Sequence, residues 1–97
     1  MNDLNQNPTF EEVIIGADEG IYPTGVVCRI IKIPLWVLKQ LDKEGIVRPQ
    51  RVSSAKARLY SKRELKMVQH CWYYLNERGV KVKGLKVILE LEHRAQR

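Results

Sequence analysis

Three polar side chains at helical spacing form the first candidate binding set in this sequence. Lys39 and Lys43 are four residues apart, and Gln40 directly follows Lys39. If Leu38 and Leu41 take the core side of a helix, these three side chains fall on its outer side. A lysine there can neutralise a phosphate, and a glutamine can pair with an adenine edge. Each side chain taken singly also fits a solvated surface position.

Two large apolar residues open the same predicted helix. Leu35 and Trp36 fall on its outer side and carry no donors that could read base edges, apart from the indole N–H. They could contact thymine methyl groups, or form an exposed apolar patch that binds another protein. A third interpretation places Trp36 in the core, against a neighbouring segment.

A basic hairpin is predicted between residues 47 and 60. Residues 46–48 are interpreted as the start of a β-ribbon that continues to residue 52, and residues 57–60 as the returning strand. Tyr60 can donate to a phosphate oxygen, or it can be a core aromatic with its hydroxyl at the rim. The basic side chains around the polar turn at residues 53–56 are Arg51, Lys56 and Arg58. Phosphate contacts of this kind position a protein without selecting a sequence.

The elements that must position these residues follow from the apolar pattern. An apolar stripe from residue 26 to residue 31 predicts a first helix from Thr24, which ends by about Lys32 because Pro34 disfavours helical backbone before it. Pro34 suits the first turn of the second helix, and Gly45 is a natural stop for it. Two helices separated by two or three residues make the corner of a helix-turn-helix.

Two further helices are predicted in the second half. Ser61 and Glu64 form a capping box that opens a helix of about 17 residues ending at Gly79. Residues 80–84 are interpreted as a connector, and apolar positions from Leu85 onwards predict a last helix to about His93.

Charge is distributed unevenly along the 97 residues. Residues 1–20 carry five acidic residues and no Lys or Arg, whereas residues 21–97 carry all 17 Lys and Arg against six acidic residues, so the formal charges are −5 and +11. A basic body of this size indicates a polyanionic partner. RNA binding lacks its usual signature of aromatic stacking residues on a sheet.

Several function classes find no support in the sequence. It contains no Gly-rich phosphate loop, no Cys-x-x-Cys and no His-Glu-x-x-His, so we expect no enzyme, no cofactor and no metal site. Cys28 and Cys71 lie within apolar patterns and are interpreted as small buried thiols of a reducing compartment. No apolar run approaches the ~18 residues of a membrane span, so we expect no membrane association. We expect the protein in the cytoplasm, on the nucleoid.

The order of these segments resembles the MerR family of bacterial transcription regulators over roughly residues 22–93. Residues 24–28 (TGVVC) resemble the start of the family's first helix. Residues 38–47 (LKQLDKEGIV) stand where the family has LRYYExxGLL, and residues 58–65 (RLYSKREL) where it has RxYSxx(D/E)L. Residues 77–80 (ERGV) followed by 85–92 (LKVILELE) are similar to the heat-shock-repressor branch.

The resemblance implies a mainly α fold with a small β-wing: a winged helix-turn-helix of about four helices plus a two-stranded hairpin. It implies a DNA-binding transcriptional regulator, with helix 34–44 in the major groove of promoter DNA and wing 47–60 on the backbone. Arg29 lies where the family often has a basic backbone contact. The small polar residues that usually begin the second helix in the family are replaced here by Pro34-Leu35-Trp36.

The resemblance also implies double-stranded DNA as partner and a homodimer or tandem assembly on it, with a protein partner or chaperone co-regulator as a further possibility. Cys28 and Cys71 do not match the family's metal-sensing positions, so metal sensing is not carried over. We expect an acidic, partly disordered leader over residues 1–20, the DNA-binding domain over 21–93 and a polar tail over 94–97. The alternative function is a winged-helix protein-interaction module that uses Leu35 and Trp36.

Overall fold

The computed structural model describes residues 16–51 and 58–96, without the side chain of Arg51. In chain order the elements are β1 (Tyr22–Pro23), α1 (Thr24–Ile31), α2 (Leu35–Lys43), β2 (Gln50–Arg51), β3 (Arg58–Tyr60), α3 (Lys62–Trp72) and α4 (Val82–Ala95). A π-helical segment, Tyr73–Glu77, continues α3. The expectations for residues 1–15 and for the tip of the wing lie outside the described residues.

The corner between α1 and α2 confirms the predicted helix-turn-helix. Lys32 ends α1 in the left-handed region, with φ 62°. Pro34 is extended and precedes the first residue of α2 rather than lying within its first turn. Gly45 follows α2 with φ +73°, a conformation that favours glycine because it has no Cβ.

The small sheet has three strands rather than two. Its order is β1-β3-β2 and both pairs are antiparallel, with Tyr22 opposite Tyr60 and Gln50 opposite Leu59. The predicted hairpin is therefore present, and β1, the segment just before α1, adds a strand on its other side. This position fixes the start of α1 against the wing.

The predicted β-ribbon start at residues 46–48 is wrong. The N–H groups of Ile46 and Val47 both donate to the carbonyl of Leu41, at 2.9 and 3.3 Å, so they close the end of α2. Val47 is buried. Val47 is apolar because it packs in the core just after the end of α2. Strand pairing begins only at Gln50.

The second half of the chain follows the prediction at α3 and departs from it at α4. Ser61 and Glu64 form the predicted capping box, with bonds of 3.1 Å to Ser61 Oγ and 2.8 Å to Glu64 Oε1. The predicted connector at residues 80–84 is wrong in part, because α4 begins at Val82. Leu85 N–H donates to the carbonyl of Lys81 at 2.8 Å, which closes the first turn around Gly84.

The core takes buried side chains from each of the four described α-helices and from β3. Its fully buried side chains include Val27 of α1, Leu38 and Leu41 of α2, Val68 of α3 and Leu85 of α4. Packing of this kind contributes most of the stability of a domain this small.

The two cysteines belong to the apolar interior. Cys71 is buried, and its burial raises the pKa of the thiol to about 11. Burial also raises the pKa of Cys28, which is partly buried. Both thiols therefore stay protonated at neutral pH. Within residues 16–51 and 58–96, none of the helices is long and apolar enough to cross a membrane.

Candidate nucleic-acid interface

A cleft rich in basic side chains separates the outer face of α2 from the sheet. Its volume is about 720 Å³. Lys39 and Lys43 lie one turn apart on one wall and are exposed, and Arg58 of β3 lies on the other. The full lining of this basic cleft is Thr24, Lys39, Asp42, Lys43, Arg48, Pro49, Arg58 and Tyr60. Four positive side chains against one carboxylate make it suited to an anion.

One ion pair crosses the basic cleft and joins its two walls. The guanidinium of Arg58 donates from Nη1 to Oδ2 of Asp42. Asp42 is mostly shielded and Arg58 is exposed, at 18% and 42% of their side-chain surfaces. The pair holds β3 against the C-terminal half of α2, and part of the charge of Arg58 is neutralised inside the protein.

Tyr60 lines the basic cleft although only 2% of the residue is exposed. Burial is the main cause that raises the pKa of its hydroxyl to about 12. The group therefore remains protonated and keeps a donor. Most of the ring belongs to the core, which agrees with the interpretation of Tyr60 as a core aromatic at the rim.

Gln40 and Trp36 line a different depression from the two lysines. Trp36 is 71% exposed and Leu35 46%. This second depression, of about 400 Å³, separates α2 from the end of α3 and the start of α4. This tryptophan groove is lined by Trp36, Val37, Gln40, Trp72, Leu75, Asn76, Val80, Lys81 and Val82.

The amide of Gln40 is held by an acidic side chain one turn later. Its Nε2 donates to Oε2 of Glu44 at 3.3 Å, and Lys86 of α4 donates to Oε1 of the same carboxylate at 2.8 Å. The hydrogen bond and positive charge of Lys86 lower the pKa of Glu44. Gln40 is thus partly buried and oriented along α2, while Lys39 points into the basic cleft.

Comparison with known proteins identifies the family. The model of the MerR HTH family regulatory protein matches residues 22–92. The chain belongs to the MerR family. This agrees with the resemblance that the sequence predicted over residues 22–93.

The chain is also similar, at lower identity, to a curated protein. The chain is 28% identical over 76 residues to a protein of Streptomyces coelicolor (strain ATCC BAA-471 / A3(2) / M145) named "Putative heat shock protein HspR". The match covers 78% of this chain and 50% of the relative, so the chain spans about half the length of the curated protein it matches. This agrees with the predicted similarity to the heat-shock-repressor branch.

The remaining predicted site residues of this MerR domain are less informative. Arg29 is exposed in the last turn of α1. Arg51 lies in β2 and its side chain is not described, and Lys56 lies outside the described residues. No cluster of three His, Cys, Asp or Glu side chains that could hold a metal ion occurs in residues 16–51 and 58–96.

Sequence reasoning missed Arg48 and Asp42 as parts of the site. Arg48 is exposed and lines the basic cleft, but the sequence placed it in a strand and gave it no role. A basic residue just after the Gly45 stop, before a predicted basic hairpin, was the available signal. The pairing of Asp42 with Arg58 had no sequence signal, because the two are brought together only by the packing of α2 on β3.

Proposed function

We propose that this MerR domain binds promoter DNA with α2 in the major groove and the wing, which begins at Gln50 and returns along β3, against the adjacent backbone. The observation that carries the proposal is the basic cleft, in which Lys39 and Lys43 face Arg58 across the space between α2 and β3. A phosphate beside α2 would meet positive charge from both elements. Arg48 at the edge of the same cleft adds a further donor.

Affinity in this arrangement would come mainly from charge. Residues 21–97 carry a formal charge of +11. Each phosphate that a lysine or arginine neutralises releases counterions, so the affinity would fall steeply as salt rises. Arg29, Arg51 and Lys56 are proposed as further backbone contacts, and Tyr60 as a donor that reaches a phosphate from the cleft wall.

Sequence reading would depend on the other face of α2. Gln40 can present its amide to an adenine edge, and Leu35 and Trp36 can contact thymine methyl groups. The bond from Gln40 to Glu44 leaves the amide oxygen and one N–H available. This face therefore offers few polar contacts, which favours a requirement for more than one bound domain.

We propose that the regulator acts as a homodimer or in tandem on repeated half-sites, in the cytoplasm on the nucleoid. The resemblance of residues 77–80 and 85–92 to the heat-shock-repressor branch supports a role as a repressor. We also propose the domain limits 21–93, with residues 1–20 as a leader and 94–97 as a tail.

Alanine substitutions in the basic cleft test the DNA-binding mode. Lys39→Ala and Arg58→Ala should each weaken binding to duplex DNA and lower the slope of log affinity against log salt by about 0.9. Fluorescence anisotropy over a salt series measures both quantities. Arg58→Ala should have the larger effect, since it also leaves Asp42 unpaired beside the phosphates.

Lys66→Ala is the matched control, because Lys66 is an exposed lysine of α3 that does not line the basic cleft. If the two cleft variants lose no more affinity than the control, the proposed binding mode is wrong. Enrichment of a repeated motif from a random duplex pool would separate sequence reading from charge attraction.

A second candidate function is a protein-interaction module that uses Leu35 and Trp36. The exposure of Trp36 beside an apolar groove favours it. Under this hypothesis Trp36→Ala improves solubility and leaves DNA binding unchanged. Under the DNA-binding proposal the same substitution alters the enriched sequence.

A further inference from the structure

The tryptophan groove is an apolar surface between α2, the end of α3 and the start of α4. Trp36 and Val37 of α2 form one side. Trp72 at the end of α3 and Leu75 of the π-helical segment form the other, and Val80 and Val82 close one end. Trp36 is 71% exposed beside it. Exposed apolar surface of this kind, with a polar rim, marks a binding site.

The charge at the rim of the tryptophan groove favours a negatively charged ligand. Lys81 is the one charged side chain among the nine lining residues, and no carboxylate is among them. An apolar segment that carries acidic residues would therefore complement the groove, whereas a basic segment would be repelled by Lys81.

We propose that the tryptophan groove binds residues 1–15 of the same chain, with Phe10 as the anchor. These residues include the single Phe of the protein, followed directly by Glu11 and Glu12 and then by three branched apolar residues. They contain no Lys or Arg. Phe10 supplies the apolar group for the groove, and Glu11 or Glu12 lies next to it in sequence to pair with Lys81.

The attachment point of this segment lies within reach of the groove. The carbonyl of Ala17 accepts from the N–H of Arg63 at 3.0 Å, and Asp18 pairs with the Arg63 side chain at 2.5 Å, so the chain leaves the body beside the start of α3. A rise of ~1.5 Å per residue places Trp72 about 14 Å farther along the helix. The extended chain from Phe10 to Gly16 spans up to about 20 Å.

Docking of residues 1–15 would cover the face of α2 that holds Trp36 and Gln40. The leader would then compete with DNA for this face, a consequence that rests on the proposed function. The docking itself does not rest on it, so it is measured without DNA.

Intrinsic fluorescence tests the docking directly, because the two tryptophans of the chain, Trp36 and Trp72, both line the groove. The full chain carrying Phe10→Ala should show emission shifted to longer wavelength by several nanometres and a higher rate of acrylamide quenching. Gln6→Ala, in the same segment but polar, is the matched control and should match the parent. The same comparison in a protein that carries Trp72→Phe shows whether the change in emission comes from Trp36.

Two further measurements identify the occupant. A synthetic peptide of residues 1–15, added to the Phe10→Ala protein, should restore the parent emission, and a peptide of the same composition in scrambled order should not. The parent emission should also be independent of protein concentration, as an intramolecular contact requires.

The proposal is overturned if Phe10→Ala and Gln6→Ala give the same emission and quenching as the parent. A blue shift that grows with protein concentration would also overturn it, in favour of a second copy in the groove. Loss of DNA binding in the cleft variants with an intact Phe10 effect would refute the binding mode alone.

Discussion

Asp42 is the side chain that limits the positive charge of the basic cleft. It is the one acidic residue among those lining the cleft, and it pairs with Arg58 across it. The pair is partly exposed, so its contribution to stability is small. Its effect on binding is larger, since it neutralises one of the four cationic side chains that a phosphate would meet.

Asp42→Asn should therefore increase the affinity for duplex DNA. Removing the carboxylate releases Arg58, so the salt slope should steepen by up to about 0.9 and the affinity should rise several-fold at low salt. Anisotropy titrations at several salt concentrations measure this. Glu77→Gln is the control, because Glu77 is exposed and lies outside the cleft lining; an equal gain in both variants would mean that only net charge matters.

At the scale of elements, α4 is attached to the body by the apolar packing of Leu85 and Leu89 and by several polar contacts. Leu85 is its single buried residue, and all residues of α4 are described. Lys86 pairs with Glu44 at the end of α2. Glu92 accepts from Tyr74 Oη at 2.7 Å and lies 2.8 Å from Nε2 of His70, so it joins α4 to α3 and its π-helical continuation.

The attachment of α4 should weaken in acid. The hydrogen bond from Tyr74, and next the one from His70, lower the pKa of Glu92 below its ordinary value of 4.5. A carboxylate with a lowered pKa contributes stability that is present above its unfolded pKa and is lost as the pH falls through its folded pKa. The melting temperature should therefore fall as the pH is taken below about 4.5.

Glu92→Gln isolates this contribution. The variant should melt at a lower temperature than the parent at neutral pH and show a flatter dependence on pH in the acidic range. Glu90→Gln is the matched control, because Glu90 lies on the same helix and its carboxylate pairs along the helix with Arg94 at 3.0 Å. Circular dichroism gives the melting temperature of each protein over a pH series. If the melting temperatures of Glu92→Gln and the parent fall in parallel with pH, Glu92 does not cause the loss of stability in acid.

At the scale of the whole molecule, residues 21–97 carry a strongly positive charge, whereas few side chains are proposed to contact bases. Under the proposed binding mode, charge would give affinity for any duplex, whereas Gln40, Leu35 and Trp36 would offer few contacts that distinguish bases. The chain spans about half the length of the curated relative it matches. Under the proposed tandem or dimeric assembly, selectivity depends on two domains acting together.

Duplexes with one and two half-sites test that assembly. When the centres of two half-sites are about 34 Å apart, both present the same side of the duplex. We expect cooperative binding to such a duplex, and weak, non-cooperative binding when the second half-site is moved by half a helical turn. Gel-shift titration with sedimentation analysis gives both stoichiometry and cooperativity, and equal affinity per site in both duplexes would disprove the assembly.

The sequence by itself determined the local features of this fold. Pro34 and Gly45 bound α2, and Ser61 with Glu64 caps α3, because these residues act on backbone within one turn of themselves. The order of these signals was also enough to predict the family, the four helices and the basic side chains of α2.

Tertiary structure alone decided what depends on residues distant in sequence. The pairing of β1 with β3 and the contact of Asp42 with Arg58 required the chain to return on itself. Lys39 and Gln40 are neighbours in sequence, yet adjacent helical side chains point about 100° apart. In the folded chain Lys39 lines the basic cleft and Gln40 lines the tryptophan groove, because of the way α2 packs. Packing of the core fixes the rotation of α2 about its axis, and this rotation decides which depression each of its outer side chains lines.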